Sequence, residues 1–283
     1  MTVTPRTTPL PPPPQPAKLP SNNGGNTMTH PLVTTTTQNH VTTLHLGAAP
    51  AHPLSAPMIQ AISDALGQAA ADPDTNVVVL YGQGKIFCAG HDLKEIARNR
   101  DTPDNGEQFL TDLFTACADM MQKLANFPKP TIAMVDGIAT AAGLQMIASC
   151  DLAFVSPNAG FCLPGVNNGG FCTTPAVGVS RSIGRKHLME LLLSGETKNA
   201  DWALNAGLIN RIIPSETLEQ DVQTFATTLA SRNAAPISAG KTAVIEQLDM
   251  ALDQAYAHAT PVMVSHFMDA GRLAAEAKSK FKA

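Results

Sequence analysis

The sequence predicts an α/β fold in which short strands are buried on both faces. Residues 77–81 (VVVLY) and 131–135 (TIAMV) are apolar runs without alternating polar positions, which is typical of such strands. Each run is followed by a turn rich in small residues and then by a segment with helical spacing. The order strand, small-residue turn and helix therefore occurs twice in the chain.

The segment before the first of these strands supplies one more strand and one helix. Residues 41–46 alternate as a strand does, and Pro50 and Pro53 end it. Ser55 is predicted to be the N-cap of a helix that runs to Ala71, because apolar side chains recur there at helical spacing. The predicted order up to residue 81 is thus β, α, β.

The middle of the chain is predicted by the same periodicities. A helix from residue 92 to about 99 and a second at 109–124 are separated by a polar loop. The strand at 131–135 is followed by a helix at 144–149 and a strand at 151–155.

The last third of the chain is predicted to be mainly helical. Asn199 is the predicted cap of a helix at 201–206, which Gly207 ends, and a strand follows at 208–213. Breaks at Pro236 and Pro261 divide the remainder into helices at 218–232, 237–258 and 262–280.

Three regions follow from this pattern. Residues 1–29 carry eight prolines in the first twenty positions, which predicts a disordered Pro-rich leader. Residues 30–216 form the predicted α/β core, and residues 217–283 form a C-terminal helical region. The leader has no apolar core of a signal peptide, and Arg6 and Lys18 are a thin basis for a mitochondrial presequence. We therefore expect a cytoplasmic protein, with the mitochondrial matrix as the alternative.

Composition excludes several classes of function. The net charge is −4 with 19 basic residues, so a basic surface for nucleic acid is not expected. No apolar run approaches the length of a membrane span. The five cysteines form no CxxC pair, so we interpret them as buried thiols in a reducing compartment rather than disulfides or metal ligands.

The turns after the two buried strands are the first candidate for chemistry. Backbone N–H groups at the start of a helix have no intrahelical acceptor, and they lie at the positive end of the helix dipole. A strand, a small-residue turn and a helix N-terminus can therefore hold a partial negative charge. Two such turns that face each other would form an oxyanion hole. The alternative is an ordinary connection between strand and helix.

Three segments, in order, resemble the crotonase (enoyl-CoA hydratase/isomerase) superfamily. KIFCAGHDL is similar to its first signature, DGIATAAGLQMIASCDLAF is similar to its second, and FCLPGVNNGG lies where a third is expected. The likeness runs from about residue 38 to the C-terminus. It implies a crotonase-like spiral of ββα repeats with a C-terminal helical oligomerisation region, assembled as a homotrimer or a dimer of trimers. It also implies an acyl-CoA thioester as ligand, with coenzyme A as part of the substrate and no separate cofactor or metal.

The resemblance assigns an oxyanion hole to the backbone N–H groups of His91 and Ala142. The two glutamates that move protons in hydratases are replaced here by Gln145 and Gly165. Thr173 stands where some relatives have a catalytic aspartate. An amide and a glycine cannot transfer protons. The usual acid–base groups are therefore absent from this chain.

The imidazole of His91 titrates near neutrality and is the remaining candidate for a general base. The alternative is a histidine of which only the backbone matters. Cys172 is a weak candidate nucleophile, because nothing near it in the sequence would lower its pKa. The NNGG tract at 167–170 is also ordinary turn chemistry. The other polar residues expected to line the pocket are Asn167, Asn168, Thr173 and Thr174.

Contacts to coenzyme A are implied near both ends of the matching region. Ala51 stands where relatives often carry a Lys or Arg that contacts CoA, which removes one expected contact. The C-terminal residues would reach the CoA site of a neighbouring subunit, and a frayed basic tail is the alternative. The implied contacts are Lys85, Ala89, Asp92, Phe281 and Lys282. At Lys85 the alternative is a solvated side chain.

Two classes of function remain open on the sequence. The first is an enzyme of enolate-type acyl-CoA chemistry in fatty-acid or lipid metabolism, of the lyase or isomerase class. The second is a non-catalytic acyl-CoA binder or a regulator of lipid metabolism. The loss of both glutamates beside retained turns is compatible with either class.

Overall fold

Two sheets and a set of helices make up the computed structural model, which describes residues 31–278. The predicted leader at 1–29 lies outside the described residues, as do Phe281 and Lys282. The strands are β1 (Val33–Gln38), β2 (Val41–Leu46), β3 (Val77–Tyr81), β4 (Ile86–Cys88), β5 (Thr131–Val135), β6 (Ile138–Thr140), β7 (Leu152–Val155), β8 (Gly160–Cys162), β9 (Lys198–Asn199) and β10 (Arg211–Ile212).

The α-helices of the same region are α1 (Ala56–Ala71), α2 (Leu93–Arg98), α3 (Glu107–Ala125), α4 (Ala142–Ala148), α5 (Thr173–Val179), α6 (Arg185–Ser194), α7 (Ala200–Ala206), α8 (Leu218–Ala230), α9 (Ala234–Gln247), α10 (Leu252–Phe267) and α11 (Ala270–Lys278). Short 3-10 helices lie at Asn99–Asp101 and Pro164–Asn168. No helix among residues 31–278 is both long and apolar enough to cross a membrane.

From β3 to β8, consecutive strands alternate between the two sheets. The larger sheet has the order β1-β2-β3-β5-β7-β10 and is parallel except for β1, and the smaller has the order β4-β6-β8-β9. Thus β3, β5 and β7 each send the chain directly into β4, β6 and β8 of the second sheet, and a helix follows each of these short strands. This order is the predicted spiral of ββα repeats, and the α/β fold is confirmed.

Strands β3 and β5 of the larger sheet are buried on both faces, as their apolar runs predict, whereas the edge strand β1 is largely exposed. On one face the side chains of Val77, Val79 and Ile132 pack beneath α8. On the other face the alternate side chains of the same strands, such as Val78 and Leu80, enter the main core with α1, α3 and α4. Helix α8 therefore covers the sheet, although the sequence prediction placed it in the C-terminal region.

The capped elements are confirmed. The Ser55 side chain accepts a hydrogen bond from the Met58 amide at the start of α1, and Asn199 does the same for Trp202 in α7. Gly207 ends α7 with a φ of 81°, a left-handed conformation that glycine adopts without steric cost.

The predicted strand at 208–213 is too long, and only Arg211–Ile212 pairs with β7. The amide of Leu208 donates to the carbonyl of Ala203 at 2.9 Å, so residue 208 completes the cap of α7 instead of joining the sheet. The sequence prediction also missed β1, β4, β6, β8 and β9, of which four have only two or three residues and show no periodicity.

The predicted break at Pro236 is confirmed to within a few residues, since α8 ends at Ala230 and α9 begins at Ala234, whereas the predicted break at Pro261 is wrong. Pro236 lies in the first turn of α9, where its missing N–H has no intrahelical acceptor, and Pro261 lies inside α10. The chain reverses instead at residues 248–251, because α9 and α10 pack against each other as a helical hairpin. Within this hairpin Gly240 leaves room for the ring of His266.

Helix α9 is tied to the sheet by an ion pair between Lys241 and Asp151. The Nζ of Lys241 lies 2.6 Å from Oδ2 of Asp151 and 3.0 Å from the carbonyl oxygen of Lys129. The same Oδ2 accepts hydrogen bonds from the amide and the hydroxyl of Thr131, at 2.7 and 2.9 Å. Asp151 therefore holds the start of β5 and the C-terminal helices together.

We predict that Asp151→Ala lowers the free energy of unfolding by about 1–3 kcal/mol, because charge-assisted hydrogen bonds are lost and Lys241 is left unpaired. Urea unfolding measures this change. Glu196→Ala is the matched control, since Glu196 forms an exposed pair with Lys198, and such pairs contribute about 0–1 kcal/mol. Equal losses in the two variants would contradict the role assigned to Asp151.

Candidate functional site

The turns that follow β4 and β6 are in direct contact. Gly90 has a φ of 79°, and a Cβ there would lie 3.1 Å from the Cβ of Ala141 and 3.3 Å from the nitrogen of Ala142. Only glycine satisfies both the left-handed conformation and this close approach. The structure therefore brings together the two turns from which the sequence predicted an oxyanion hole.

The amide of His91 is directed away from its neighbouring segment. Leu54 and His91 form a parallel bridge, in which the Leu54 amide donates to the carbonyl of Gly90 at 2.8 Å. The Asp92 amide donates to the carbonyl of Leu54 at 3.3 Å. In a parallel ladder this pattern uses the groups before and after the paired residue, so the N–H of His91 points away from Leu54.

The amide of Ala142 is presented by an unusual backbone at the preceding residue. Ala141 has φ 49° and ψ −118°, which L-residues rarely adopt, and its own amide donates to the carbonyl of Cys162 at 2.9 Å. Ala142 is the first residue of α4, so its N–H has no acceptor within the helix. Thr140 braces the two turns, since its hydroxyl donates to the carbonyl of Ala89 at 2.8 Å.

The imidazole of His91 packs edge-on against Phe114 of α3, with ring centroids 5.0 Å apart and an interplanar angle of 64°. Its Nδ1 is buried and has no hydrogen-bond partner among residues 31–278. Burial lowers the pKa of His91, against a weaker opposing effect of the Leu54 backbone. Burial therefore favours the neutral form of the imidazole.

Gln145 lies one turn after Ala142 on α4 and is 6% exposed. Its Cγ lies 3.1 Å from the point where Gly178 of α5 would carry a Cβ, so the glycine makes room for it. At the far end of α4, Ser149 contacts Met121 of α3 with Oγ and Sδ 3.9 Å apart. The backbone N–H of Gln145 donates to the carbonyl of Ala141 at 3.1 Å, whereas its side-chain amide makes no hydrogen bond within the described part of the chain.

Gly165 has no space for a side chain. A Cβ there would lie 2.7 Å from the nitrogen of Cys172 and 2.8 Å from the carbonyl carbon of Phe171. The amide of Gly170 donates to the carbonyl of Gly165 at 2.9 Å, which folds residues 165–172 back on themselves. Backbone therefore fills the space where a side chain at residue 165 would start, and the assignment of this position to the second glutamate stays a prediction.

The polar residues of the third segment are divided between structure and surface. Asn167 donates to the carbonyl of Gly195 at 3.0 Å and so ties this segment to the end of α6. Asn168, Thr173 and Thr174 are exposed. Burial raises the pKa of the Cys172 thiol, which agrees with its rejection as a nucleophile.

The implied CoA contacts have different structural settings. Lys85 is exposed, and Asp92 serves as the N-cap of α2, where its side chain accepts from the amides of Lys94 and Glu95. The amide of Ala89 donates to the carbonyl of Ala51 at 2.9 Å, which places these two residues side by side. Contact with CoA at these positions stays a prediction.

Three residues at this site were not found from the sequence. Phe114 was predicted only as one apolar position of a helix, and nothing in the sequence pairs it with His91. Leu54 lies in a bend that carries no periodic signal, and Ala141 shows no sign of a positive φ in its residue type. The small residues on both sides of Ala141 were the one sequence feature that indicated an unusual turn there.

An open groove of about 640 Å³ lies elsewhere, between β1, β2 and α8. Its lining includes Thr36, Thr43, His45 and Glu219, and it lies on the α8 face of the larger sheet. The two amides lie beyond the opposite face, where β4, β6 and α4 pack. The candidate site therefore rests on backbone geometry and not on the size of a cavity.

Comparison with known proteins identifies the family. The profile of the family described as enoyl-CoA hydratase/isomerase matches residues 36–281. The chain belongs to the enoyl-CoA hydratase/isomerase family. Its relatives include the mitochondrial enoyl-CoA hydratase domain-containing protein 3 of Rattus norvegicus, 38% identical over 213 residues, which are 75% of this chain and 69% of the relative.

Solved structures of this enoyl-CoA hydratase/isomerase family share the fold. A family protein from Silicibacter pomeroyi has 57% identity and a TM-score of 0.81, covering 84% of this chain and 99% of its own. The human enoyl coenzyme A hydratase domain-containing protein 3 has 32% identity and a TM-score of 0.80, covering 86% and 94%. The predicted family membership is confirmed.

We predict that Gly165→Ala destabilises the protein by about 1–3 kcal/mol, because the added Cβ meets backbone atoms that must shift. Gly170→Ala in the same segment is the matched control, since the nearest atom to a Cβ there is 3.7 Å away. Urea unfolding compares the two. A Gly165→Ala protein as stable as the Gly170→Ala protein would show that the segment has free space.

The lowered pKa of His91 makes part of the stability depend on pH. The unfolded chain binds a proton near the ordinary value of 6.5, whereas the buried imidazole resists it. The contribution is present above that value and is lost as the pH falls below it. His91→Phe should therefore lose less free energy of unfolding than the wild type between about pH 7 and 5. Equal losses, measured by urea unfolding at each pH, would contradict the assignment.

Proposed function

We propose that this protein binds acyl-CoA thioesters and stabilises an enolate with the backbone N–H groups of His91 and Ala142. The observation that carries the proposal is the contact of the two turns at Gly90 and Ala141. The thioester carbonyl oxygen would accept both hydrogen bonds, which strengthen as negative charge develops on it. Binding and charge stabilisation then need no side chain and no cofactor other than the CoA of the substrate.

The proposed chemistry excludes efficient hydration of an enoyl thioester. Adding water requires one group to take a proton from water and a second to deliver a proton to carbon. Gln145 is an amide, and the position of the second glutamate is closed by the backbone of residues 171–172. General acid–base groups each contribute about 10²–10⁴ in rate, so hydration should be slower by several powers of ten. Enolate chemistry in lipid metabolism, of the lyase or isomerase class, is the proposal.

A non-catalytic acyl-CoA binder is the second candidate. The absence of both proton-transferring groups favours it, because binding alone needs only the two amides. The two candidates share the same site and differ in turnover alone.

Substitution of proline at residue 142 tests the shared site. Ala142 is the first residue of α4, where proline fits a helix and removes only the N–H. We expect Ala142→Pro to weaken acetyl-CoA binding, measured by calorimetry, or to lower any turnover by about 10²–10³. Ala234→Pro is the matched control at the first residue of α9. A folded Ala142→Pro protein with unchanged binding and turnover would overturn the proposal.

We also propose the mitochondrial matrix as the compartment. The name of the rat relative carries the word mitochondrial, and no finding supports the cytoplasmic expectation.

The assembly we propose is a trimer or a dimer of trimers, built on the C-terminal helices. Large apolar side chains of α10 are exposed, among them Leu252 at 75% and Tyr256 at 69%, one helical turn apart. Contiguous exposed apolar surface of this kind is typical of an interface. Further exposed apolar residues in the same region are Val244, Leu248, Met263, Val264, Phe267, Met268 and Leu273.

We predict that the double variant Leu252→Lys and Tyr256→Lys shifts the assembly to monomer, because two charges would be buried in the interface. Analytical ultracentrifugation at micromolar concentration gives the mass. Gln254→Lys, on another face of α10, should leave the mass unchanged. A monomeric wild type would contradict the proposal directly.

A further inference from the structure

His52 is almost completely buried, with 1% of its surface exposed, and both of its ring nitrogens face backbone carbonyl oxygens. Nδ1 lies 2.6 Å from the carbonyl oxygen of Gly47, and Nε2 lies 3.0 Å from the carbonyl oxygen of Gln83. A carbonyl oxygen only accepts hydrogen bonds, whereas a neutral imidazole has a single N–H to donate. The ring can therefore make both bonds only when both of its nitrogens carry hydrogen.

The two carbonyl groups belong to segments that are distant in sequence. Gly47 begins the segment 47–54 between β2 and α1, and Gln83 lies in the turn between β3 and β4. Within the segment, Ala48 and His52 have φ values of 57° and 46°, which residues with a Cβ rarely adopt. The segment thus has an unfavourable backbone, and the ring of His52 ties it to the turn at 82–84.

The same segment supports the turn that carries the His91 amide. Three backbone hydrogen bonds, of 2.8, 2.9 and 3.3 Å, join residues 51–54 to residues 89–92. Two of them form the bridge between Leu54 and His91, which directs the N–H of His91. A displacement of residues 51–54 would therefore turn this amide.

No charged group takes the place of the two carbonyl oxygens. Apart from His52, the segment 47–54 and the turn at 82–84 contain no titratable residue, and Lys85 beyond the turn is exposed. On the facing residues, Asp92 and Glu95 already accept hydrogen bonds from backbone amides, and the imidazole of His91 is buried. His52 forms no ion pair within residues 31–278. Two charge-assisted hydrogen bonds are thus what favours the doubly protonated ring against its burial.

We propose that His52 carries hydrogen on both ring nitrogens and is a positioning residue, which fastens the segment 47–54 to the turn at 82–84 and so fixes the direction of the His91 amide. Its effect on acyl-CoA rests on the proposed function, whereas the state of the ring does not. Loss of one ring hydrogen would leave a bare nitrogen facing a carbonyl oxygen and break one of the two bonds. The fastening is therefore complete at low pH and weakens as the pH rises.

Nitrogen NMR of the full chain, labelled at its histidines, measures the ring hydrogens directly. At pH 7 an ordinary histidine is mostly neutral, and we expect His52 to carry hydrogen on both nitrogens. His40 is the control in the same spectrum, since it is exposed, has a φ of 61° and bonds one carbonyl oxygen, that of Asp74 at 3.0 Å. The variants His52→Asn and His40→Asn assign the signals. A His52 ring with one bare nitrogen would overturn the proposal.

Hydrogen exchange tests the fastening without a ligand. Asn tolerates a positive φ, and its Nδ2 replaces only the Nδ1 of the ring, so His52→Asn loses the bond to Gln83. We expect the Leu54 amide to exchange faster in His52→Asn than in the wild type, and at the wild-type rate in His40→Asn. Equal exchange in all three proteins would overturn the proposal.

Calorimetry with acetyl-CoA tests the consequence for the site. At pH 6 the affinity of His52→Asn should be at least about fivefold below that of the wild type. The two affinities should converge between about pH 6 and 9 as the wild-type ring loses its second hydrogen. His40→Asn should follow the wild type throughout, because CoA and His91 titrate equally in both. Equal affinities of His52→Asn and the wild type at pH 6 would overturn the positioning role. A wild type that does not bind acetyl-CoA would instead overturn the proposed function, and the NMR and exchange results would still decide the state and the fastening of His52.

Discussion

The contact between the turn at Gly90 and the turn at Ala141–Ala142 is the constraint on which the candidate site depends. The two turns belong to different ββα repeats and follow β4 and β6, which are neighbours in the smaller sheet. Gly143 packs against the backbone of Cys88, so the start of α4 lies directly on β4. Side chains at residues 90 or 143 would separate the repeats. Pairing of two short strands and the absence of two Cβ atoms thus fix where both amides point.

A site made of backbone amides has a different relation to sequence from a site made of side chains. The backbone N–H at residue 91 is present with any residue except proline, and its direction is set by the bridge with Leu54. The side chains around it can change without removing the charge-stabilising groups. This separation explains how the family fold and the two turns persist in a chain that has Gln145 and Gly165 where the resemblance predicts glutamates.

Much of the fold follows from the sequence because the signals are local and strong. The strands at 77–81 and 131–135 are apolar on both faces, and Ser55 and Asn199 cap helices that begin at the predicted places. The short strands β4, β6 and β8 could not be found, because three residues carry no periodicity and their pairing is decided by tertiary contacts. The error at Pro261 has the opposite origin. A strong local signal was overridden by the packing of α10 against α9.

The candidate site, like the fold, could be predicted from the sequence only in part. The two turns that carry the amides were located from motifs, since motifs concern residue types in the chain, and the replacement of the glutamates stays a prediction. The contact of His91 with Phe114 and the positive φ of Ala141 did not follow from motifs, because they arise only when distant segments meet.

The packing around Gly165 bears on how this site can evolve. A glycine codon can become a glutamate codon by one nucleotide change, so the genetic distance to a hydratase-like residue at 165 is short. The structure opposes this substitution, because the backbone at Phe171 and Cys172 occupies the space in which that side chain would begin. Glutamate could return only after the segment at 165–172 had been rebuilt by other substitutions. Until then a glutamate at residue 165 would lower the stability of the fold before it could contribute to any function.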